Sequence, residues 1–358
     1  MRFEITATDP HSRARAGKLY TAHGVLETPV FIPSASLATV RGCAPQEVAQ
    51  AGVQIIACNA YHLWLRPGVE VIAKAGGVHR FMGWKRPMLS DSGGFQVLSL
   101  AAAREVSEEG VRFRSHLDGS QRTLTPETCM AIQNALGADI AMILDECCPY
   151  PCDHEYTARS LGLTLDWARR CKAAHTNPHQ HLFGIVQGGV HLDLRRHSAE
   201  ETVRIGFAGY AIGGLSVGEP REQMLEVLEA VLPLLPADRP RYVMGVGTPD
   251  DIAACARLGV DVFDCVLPTR NARHGSLFTQ QGVVKIKHAG LREDLGPIEA
   301  GCDCPACQGY SRAYLRHLWL AKETLATRLL TLHNLRYYER FMSDLRAAIA
   351  GEEGGADD

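Results

Sequence analysis

The chain has 358 residues, 46% of them hydrophobic and 22% charged, with a formal net charge of −3 at pH 7. That length and composition suit one large globular domain or two ordinary ones, and the near-neutral balance excludes a global positive field for nucleic acid, so such binding would need a local patch. No apolar run approaches the ~20 residues of a membrane helix, the opening Met1-Arg2-Phe3-Glu4-Ile5-Thr6 lacks the apolar core of a signal peptide, and twelve cysteines in such a chain read as reduced cytoplasmic thiols.

Residues 1 to 28 read as a small antiparallel hairpin that caps the bottom of a barrel. Eight short apolar runs come next, each ending in a polar residue or glycine. They are Val30–Ile32, Val53–Ala57 before Cys58-Asn59, Met88–Ser90 before Asp91, Ile140–Leu144 before Asp145, Leu182–Val186 before Gln187, Tyr210–Ile212 before Gly213-Gly214, Tyr242–Met244 before Gly245, and Val260–Phe263 before Asp264. Such continuous runs suit strands buried on both faces, as in parallel sheets. Helical segments lie between most of them. Thr125-Pro126-Glu127 and Thr248-Pro249-Asp250 each give a capping hydroxyl, a proline in the first turn and an acid beside it, and Gly137 and Gly259 mark the ends of those helices. The alternation predicts a parallel α/β fold, and eight units favour a closed (β/α)8 TIM barrel. An open doubly wound sheet is second, weakened by the lack of a G-x-G-x-x-G turn after the first strand.

Several segments break the repeat. Residues 105 to 117 alternate, Val111, Phe113 and Ser115 against Arg112, Arg114 and His116, and read as an inserted hairpin. The barrel is expected over 1–282, a metal-binding subdomain over 283–335, a C-terminal helix over 336–350 and a disordered acidic tail over 351–358.

A barrel of this kind builds its site at the C-terminal ends of its strands. Those ends supply Asp91, Asp145 and Asp264, with Asn59, Ser92 and Gln187 beside them. A single strand-end Asp is more often a helix cap or loop anchor. Three at one mouth cannot all ionise freely, so one should be poised to hold a proton, the pattern of enzymes that displace a leaving group from an anomeric carbon. Gly93-Gly94 lets backbone approach a flat ligand, and Phe95 either stacks on it or is core. Asp145 and Gln187 offer the acceptor and donor edges that a guanine-like ring requires. Arg270 and Arg273, just past Asp264, either clamp phosphate or pair with surface carboxylates.

Cys302-Asp303-Cys304-Pro305-Ala306-Cys307 is too tight a spacing for three packing residues, and His333 follows on a helical stretch. Three thiolates and an imidazole favour one tetrahedral zinc per chain with a closed, structural coordination sphere. If His333 is an ordinary surface histidine instead, one position stays open. Cys43, Cys58, Cys129, Cys171 and Cys255 lack ligand spacing and read as core.

These residues resemble bacterial tRNA-guanine transglycosylases from end to end. The resemblance is carried by Asn59-Ala60-Tyr61-His62-Leu63 through Arg66-Pro67-Gly68, Ser90-Asp91-Ser92-Gly93-Gly94-Phe95-Gln96, Asp145-Glu146-Cys147, Val186-Gln187-Gly188-Gly189, Gly213-Gly214-Leu215 through Glu219, Phe263-Asp264-Cys265-Val266-Leu267-Pro268-Thr269-Arg270, and the cysteine cluster with His333. It implies exchange of wobble-position guanine in queuosine-type tRNAs for 7-aminomethyl-7-deazaguanine, with a homodimeric enzyme bound to the anticodon loop. It further implies that Asp264 is the nucleophile and Asp91 the general acid/base. Asp145, Gln187 and Gly214 would read the base edge, Leu215 the aminomethyl group, and Phe95 and Met244 would sandwich the ring; Ser92, Gly93, Gly94, Cys147, Val217 and Glu219 would complete the pocket. Gly245, Val246, Gly247, Thr248, Pro249, Asp250 and Asp251, with Thr269, Arg270, Asn271, Ala272 and Arg273, would meet the RNA. Ser216 departs from a common Ala. Two other readings predict different residues: a metal-assisted barrel hydrolase needs histidines at the strand ends, and a non-catalytic zinc-containing accessory subunit would lack Asp91 or Asp264.

Overall fold

The computed structural model describes residues 2–100 and 104–351. The chain opens with three antiparallel strands, β1 (Arg2–Thr8), β2 (Arg15–Thr21) and β3 (Gly24–Thr28). A third strand therefore joins the expected hairpin, because the tight Thr21–Gly24 turn lets Val25 pair with Tyr20 and Leu26 with Leu19. Leu19 and Leu26 are buried.

The eight-stranded parallel sheet follows. Its strands are β4 (Val30–Pro33), β5 (Ile56–Asn59) and β6 (Met88–Asp91), then, after a three-stranded insert of β7 (Arg104–Ser107), β8 (Gly110–Arg114) and β9 (Gln121–Leu124), β10 (Ile140–Met142), β11 (His181–Val186), β12 (Gly209–Ile212), β13 (Arg241–Val243) and β14 (Val262–Cys265). Their spatial order is β4-β14-β13-β12-β11-β10-β6-β5. The two ends meet through a parallel bridge, Ser34 with Ala57, and the Ala35 N–H bonds the Ala57 carbonyl at 2.6 Å. That short seam closes the barrel. All eight expected runs form strands, and Phe31, Phe183 and Phe263 are at most 1% exposed; each such burial contributes roughly 1.5–3 kcal/mol.

Three strands depart from the expected runs by two residues or more, among them the eighth, which lies at Val262–Cys265 rather than 260–263 and so contains Asp264. The second strand lies at Ile56–Asn59 rather than 53–57, so Asn59 ends the strand instead of following it. The fourth stops at Met142, since the Leu144 N–H leaves the ladder for Cys171 Sγ at 3.3 Å. Asp145 therefore sits on a buried loop. The insert has one strand more than expected. Its third strand, Gln121–Leu124, is mostly polar and carries little alternation to read. The two proline-marked helices form as expected, Pro126–Leu136 capped by Thr125 and Pro249–Arg257 capped by Thr248, with Gly137 left-handed at φ 68°. Each such cap stabilises by about 1 kcal/mol.

The N-terminal sheet is pinned to the barrel floor by polar contacts. Arg15 makes a bidentate pair with the fully buried Asp261 at 2.8 and 2.6 Å. Beyond β14, a hairpin of β15 (Ser276–Thr279) and β16 (Gly282–Lys285) leads to the cysteine cluster, which shares a small core with Ala272, Leu277, Ile286 and Leu330. One continuous helix, Thr324–Ala350, carries His333 and then crosses the barrel, with the Tyr338 ring 4.5 Å from that of Phe31. Of the expected tail, residues 352–358 lie outside the described residues. Among the described residues no helix is long and apolar enough to cross a membrane.

Candidate functional site

Three carboxylates converge at the C-terminal ends of the strands. Asp91 ends β6, Asp264 is the penultimate residue of β14, and Asp145 follows β10. Asp91 Oδ2 accepts a 2.6 Å hydrogen bond from the Asn59 side-chain amide on the neighbouring strand. Burial, then the nearby charges of Asp145 and Asp264, pushes the Asp91 carboxyl up to about 7. This is the proton-poised member that a triple-acid mouth demands. Burial also pushes Asp145 up to about 6, against the opposing hydrogen bond from Gln187. Asp264 is raised by burial too, and Tyr242 and Gly245 pull it back.

Asp145 and Gln187 form one polar surface. The Gln187 amide nitrogen donates to Asp145 Oδ2 at 2.6 Å, and its backbone N–H is held by Ser198 Oγ at 3.1 Å. Gln187 Oε1 is buried and has no partner among the described residues. An orphaned buried acceptor costs about 1–3 kcal/mol, so this oxygen is suited to take a donor from a ligand. Glycines make the room: a Cβ on Gly214 would stand 2.4 Å from that oxygen, one on Gly94 would stand 2.6 Å from the Asp145 carbonyl, and one on Gly93 would stand 2.4 Å from Tyr61 Cβ. A side chain at any of these places would collide with Tyr61, Asp145 or Gln187 and force it to shift.

The residues expected to line a pocket differ in exposure. Ser92 and Leu215 are buried, Cys147, Val217, Glu219 and Met244 are partly exposed, and Phe95 is 51% exposed at the rim. The Glu219 carboxylate accepts from the backbone N–H groups of Ser216 and Val217. The Leu215 carbonyl shares its peptide with the Ser216 N–H, so it points the opposite way from Glu219. Burial pushes the Cys147 thiol up to about 12, which makes it a neutral wall rather than a nucleophile.

The segments expected to meet RNA divide by burial. Val246, Gly247, Thr269 and Ala272 are packed inside, Pro249, Asp251, Asn271 and Arg273 are partly exposed, and Gly245, Thr248, Asp250 and Arg270 face solvent. Arg273 is held below the usual guanidinium range by burial and by the neighbouring charges of Arg41 and Arg270. Three guanidiniums crowded at the mouth repel one another and favour a polyanion. Arg41 was invisible in the sequence because it follows the first strand by eight residues in a loop without a motif.

Two further residues were missed. Tyr242, on β13, donates its hydroxyl to Asp264 Oδ1 at 2.6 Å. Arg195, fully buried, donates to the carbonyls of Gly189 at 2.7 Å and Val186 at 2.8 Å and leans on Gly214 at 3.4 Å, tying together the turns that carry Gln187 and Gly214. In the sequence, one reads as a core aromatic and the other as a helix-surface cation.

Away from the mouth, Cys302, Cys304, Cys307 and His333 are buried, with ligand atoms all within 4.8 Å of one another. His333 Nδ1 lies 3.8, 3.5 and 3.4 Å from the three sulfurs in that order. Its Nε2 is 2.8 Å from the Phe278 carbonyl, which accepts the ring N–H and leaves Nδ1 a lone pair aimed at the thiols. The four could hold a metal ion. A second group, His23, His79 and Asp139, sits on the barrel floor. Its imidazoles stack at 3.7 Å and 12°, so their in-plane lone pairs do not converge on one ion. Asp139 also accepts from the backbone N–H groups of His23 and Met88, and the group fastens the N-terminal sheet to the barrel.

A model of the family described as queuine tRNA-ribosyltransferase matches residues 9–355. Among curated proteins, a queuine tRNA-ribosyltransferase of Symbiobacterium thermophilum is 56% identical over 351 residues, covering 98% of this chain and 88% of that protein. One from Halothermothrix orenii is 54% identical over 347 residues, covering 97% and 93%. One from Syntrophobacter fumaroxidans is 56% identical over 349 residues, covering 98% and 94%.

Proposed function

The chain belongs to the queuine tRNA-ribosyltransferase family, and from that premise we propose that it replaces guanine at the wobble position of tRNA with 7-aminomethyl-7-deazaguanine by double displacement. The observation that carries the mechanism is the division of labour among the three acids. Asp91 is poised at about 7, able to give a proton and take one back near neutral pH. Asp264 has one oxygen tied by two donors and is the carboxylate placed to attack.

In the first half-reaction a bond forms between Asp264 and ribose C1′ as the bond from C1′ to guanine breaks, and Asp91 supplies the proton that the departing base needs. In the second, Asp91 takes a proton from the incoming base, which attacks C1′ and releases the Asp264 carboxylate. Two inversions restore the sugar configuration. Asp145 accepts from the ring and exocyclic N–H groups of the base, and the second N–H of the Gln187 amide, the one not given to Asp145, joins the Gly214 N–H in donating to its carbonyl edge. Phe95 and Met244 cover its faces. The Leu215 carbonyl, turned away from Glu219, receives the aminomethyl group. A base must be unstacked from a single-stranded loop to enter such a pocket, which fits the anticodon loop as partner. Arg270, Arg273 and Arg41 meet its phosphates.

We assign the cysteine–histidine cluster to one structural zinc per chain. Tetrahedral zinc with ordinary bond lengths separates sulfur from nitrogen by about 3.6 Å, and the spacings of 3.4 to 3.8 Å support it. With four protein ligands it leaves no position for water and organises the fold around residues 283–335 rather than the chemistry. His333→Ala is expected to lower zinc content below one per chain and to lower the unfolding temperature by several degrees; full stoichiometry and stability would remove His333 from the ligand set. The same region exposes Leu295, Tyr314 and Leu320. A second copy of the chain is the occupant that fits, giving a homodimer, and a tRNA substrate fits a cytoplasmic location.

The reading is tested by incubating the protein with tRNA and labelled guanine, then adding 7-aminomethyl-7-deazaguanine. Label should enter tRNA and then be displaced by the competing base. Absence of label in tRNA would refute base exchange.

A further inference from the structure

Resting on the assignment of Asp264 as nucleophile, the structure assigns Tyr242 as a positioning residue that decides which oxygen of Asp264 attacks and that speeds release of the sugar from it. The geometry is one-sided. Asp264 Oδ1 accepts the Tyr242 hydroxyl at 2.6 Å and the Gly245 N–H at 2.9 Å. No hydrogen bond from the described residues reaches Oδ2. Tyr242 is 1% exposed on β13, beside β14 in the sheet, so its ring has no freedom to swing away.

The electron count sets the consequences. When Oδ2 bonds to C1′ and the C1′–N bond breaks, the electron pair of that bond leaves with the base, which takes its proton from Asp91. Oδ1 then becomes the carbonyl oxygen of an ester, still facing two donors. In the return step the incoming base attacks C1′, the C1′–Oδ2 bond breaks, and its pair returns to the carboxylate. Negative charge reappears on Oδ1, where the donors already point, so no reorganisation is needed. Tyr242 therefore favours breakdown of the covalent intermediate more than its formation. On the attack it holds the carboxylate in line but withdraws electron density from it.

The charged and titratable groups around this pair are few. Tyr242 is faced by Asp264 and Cys265 of β14 and by Asp91 of β6. Burial raises Asp264, and the Tyr242 hydroxyl is the first group opposing that. Removing the hydroxyl should thus move the acidic limb of the rate profile to higher pH.

The test uses the full chain with tRNA. Tyr242→Phe keeps the ring in the core. Breakdown of the isolated tRNA adduct by added guanine is expected to slow on the order of 10- to 100-fold, formation to slow less, and the adduct fraction at steady state to rise. KM for tRNA and for base should stay near the parent values. A stronger donor of nearly the same shape, Tyr242→3-fluorotyrosine, should speed breakdown, and this arm decides the matter if the Phe chain does not fold. Breakdown unchanged in the folded variants, or both halves slowed equally with loss of tRNA affinity, overturns the assignment. If the parent chain forms no adduct with tRNA, the nucleophile reading itself fails, which a normal adduct with indifferent variants would not show.

Discussion

Asp264→Asn is expected to form no denaturant-resistant adduct with tRNA while still binding it. An amide oxygen is too weak a nucleophile for C1′, and its near-identical shape leaves the pocket and the Arg270–Arg273 surface intact. The stability effect should run the other way. Burial raises the Asp264 carboxyl, so the native state disfavours its ionised form. Such a group stabilises the fold only while protonated, and that contribution is lost as pH rises above the ordinary carboxylate range. Replacing it by a neutral amide should therefore leave the unfolding temperature at neutral pH unchanged or higher. This is the signature of a functional site held at a cost in stability. An adduct formed at the parent level would refute Asp264 as nucleophile. Loss of adduct together with a lower unfolding temperature and lost tRNA binding would mean that the variant had misfolded.

The barrel was legible because its strands are buried on both faces, so each is a bare apolar run ending at a polar residue. That pattern needs no knowledge of neighbours. The triple acid was legible for the same reason, since each strand end announces itself. The cysteine ligands are local in sequence, and His333 was reachable only through its chemistry, lying 26 residues beyond Cys307. What could not be read depends on which elements meet. Tyr242 belongs to a strand and looks like packing until β14 brings Asp264 beside it. Arg195 looks like one more cation on a helix until that helix folds under Gly189 and Gly214. Strands β3 and β9 pair through short turns, and their own residues are too polar or too few to alternate clearly. Asn59 was placed just outside its strand, yet its amide reaches Asp91 because β5 runs three residues later than the apolar run suggests.

Asp91→Ala should lower base exchange by about 10²–10⁴-fold, the usual contribution of a general acid or base. The loss should fall on both half-reactions, because the same carboxyl gives a proton to guanine and accepts one from the incoming base. The parent chain should show adduct formation falling as pH rises through about 7, where Asp91 loses its proton. That limb should vanish in the variant, whose residual rate no longer depends on this group. The sign for stability follows from the same position. The carboxyl titrates near 3.8 in the unfolded chain and near 7 in the native one, so its contribution is complete below the first value and lost between the two. Asp91→Ala should then gain stability relative to the parent as pH rises from about 4 to about 8, the vacated space near Asn59 adding only a pH-independent offset. Asn59, 4% exposed and held by the His62 N–H, would lose the acceptor of its amide, a cost that does not change with pH. Rates measured by single turnover across that pH range, beside thermal unfolding at the same points, separate the two effects. Normal turnover in the variant, or an alkaline limb that persists in it, would take the acid/base role away from Asp91 and leave Asp145 as the remaining carboxyl in reach of the base.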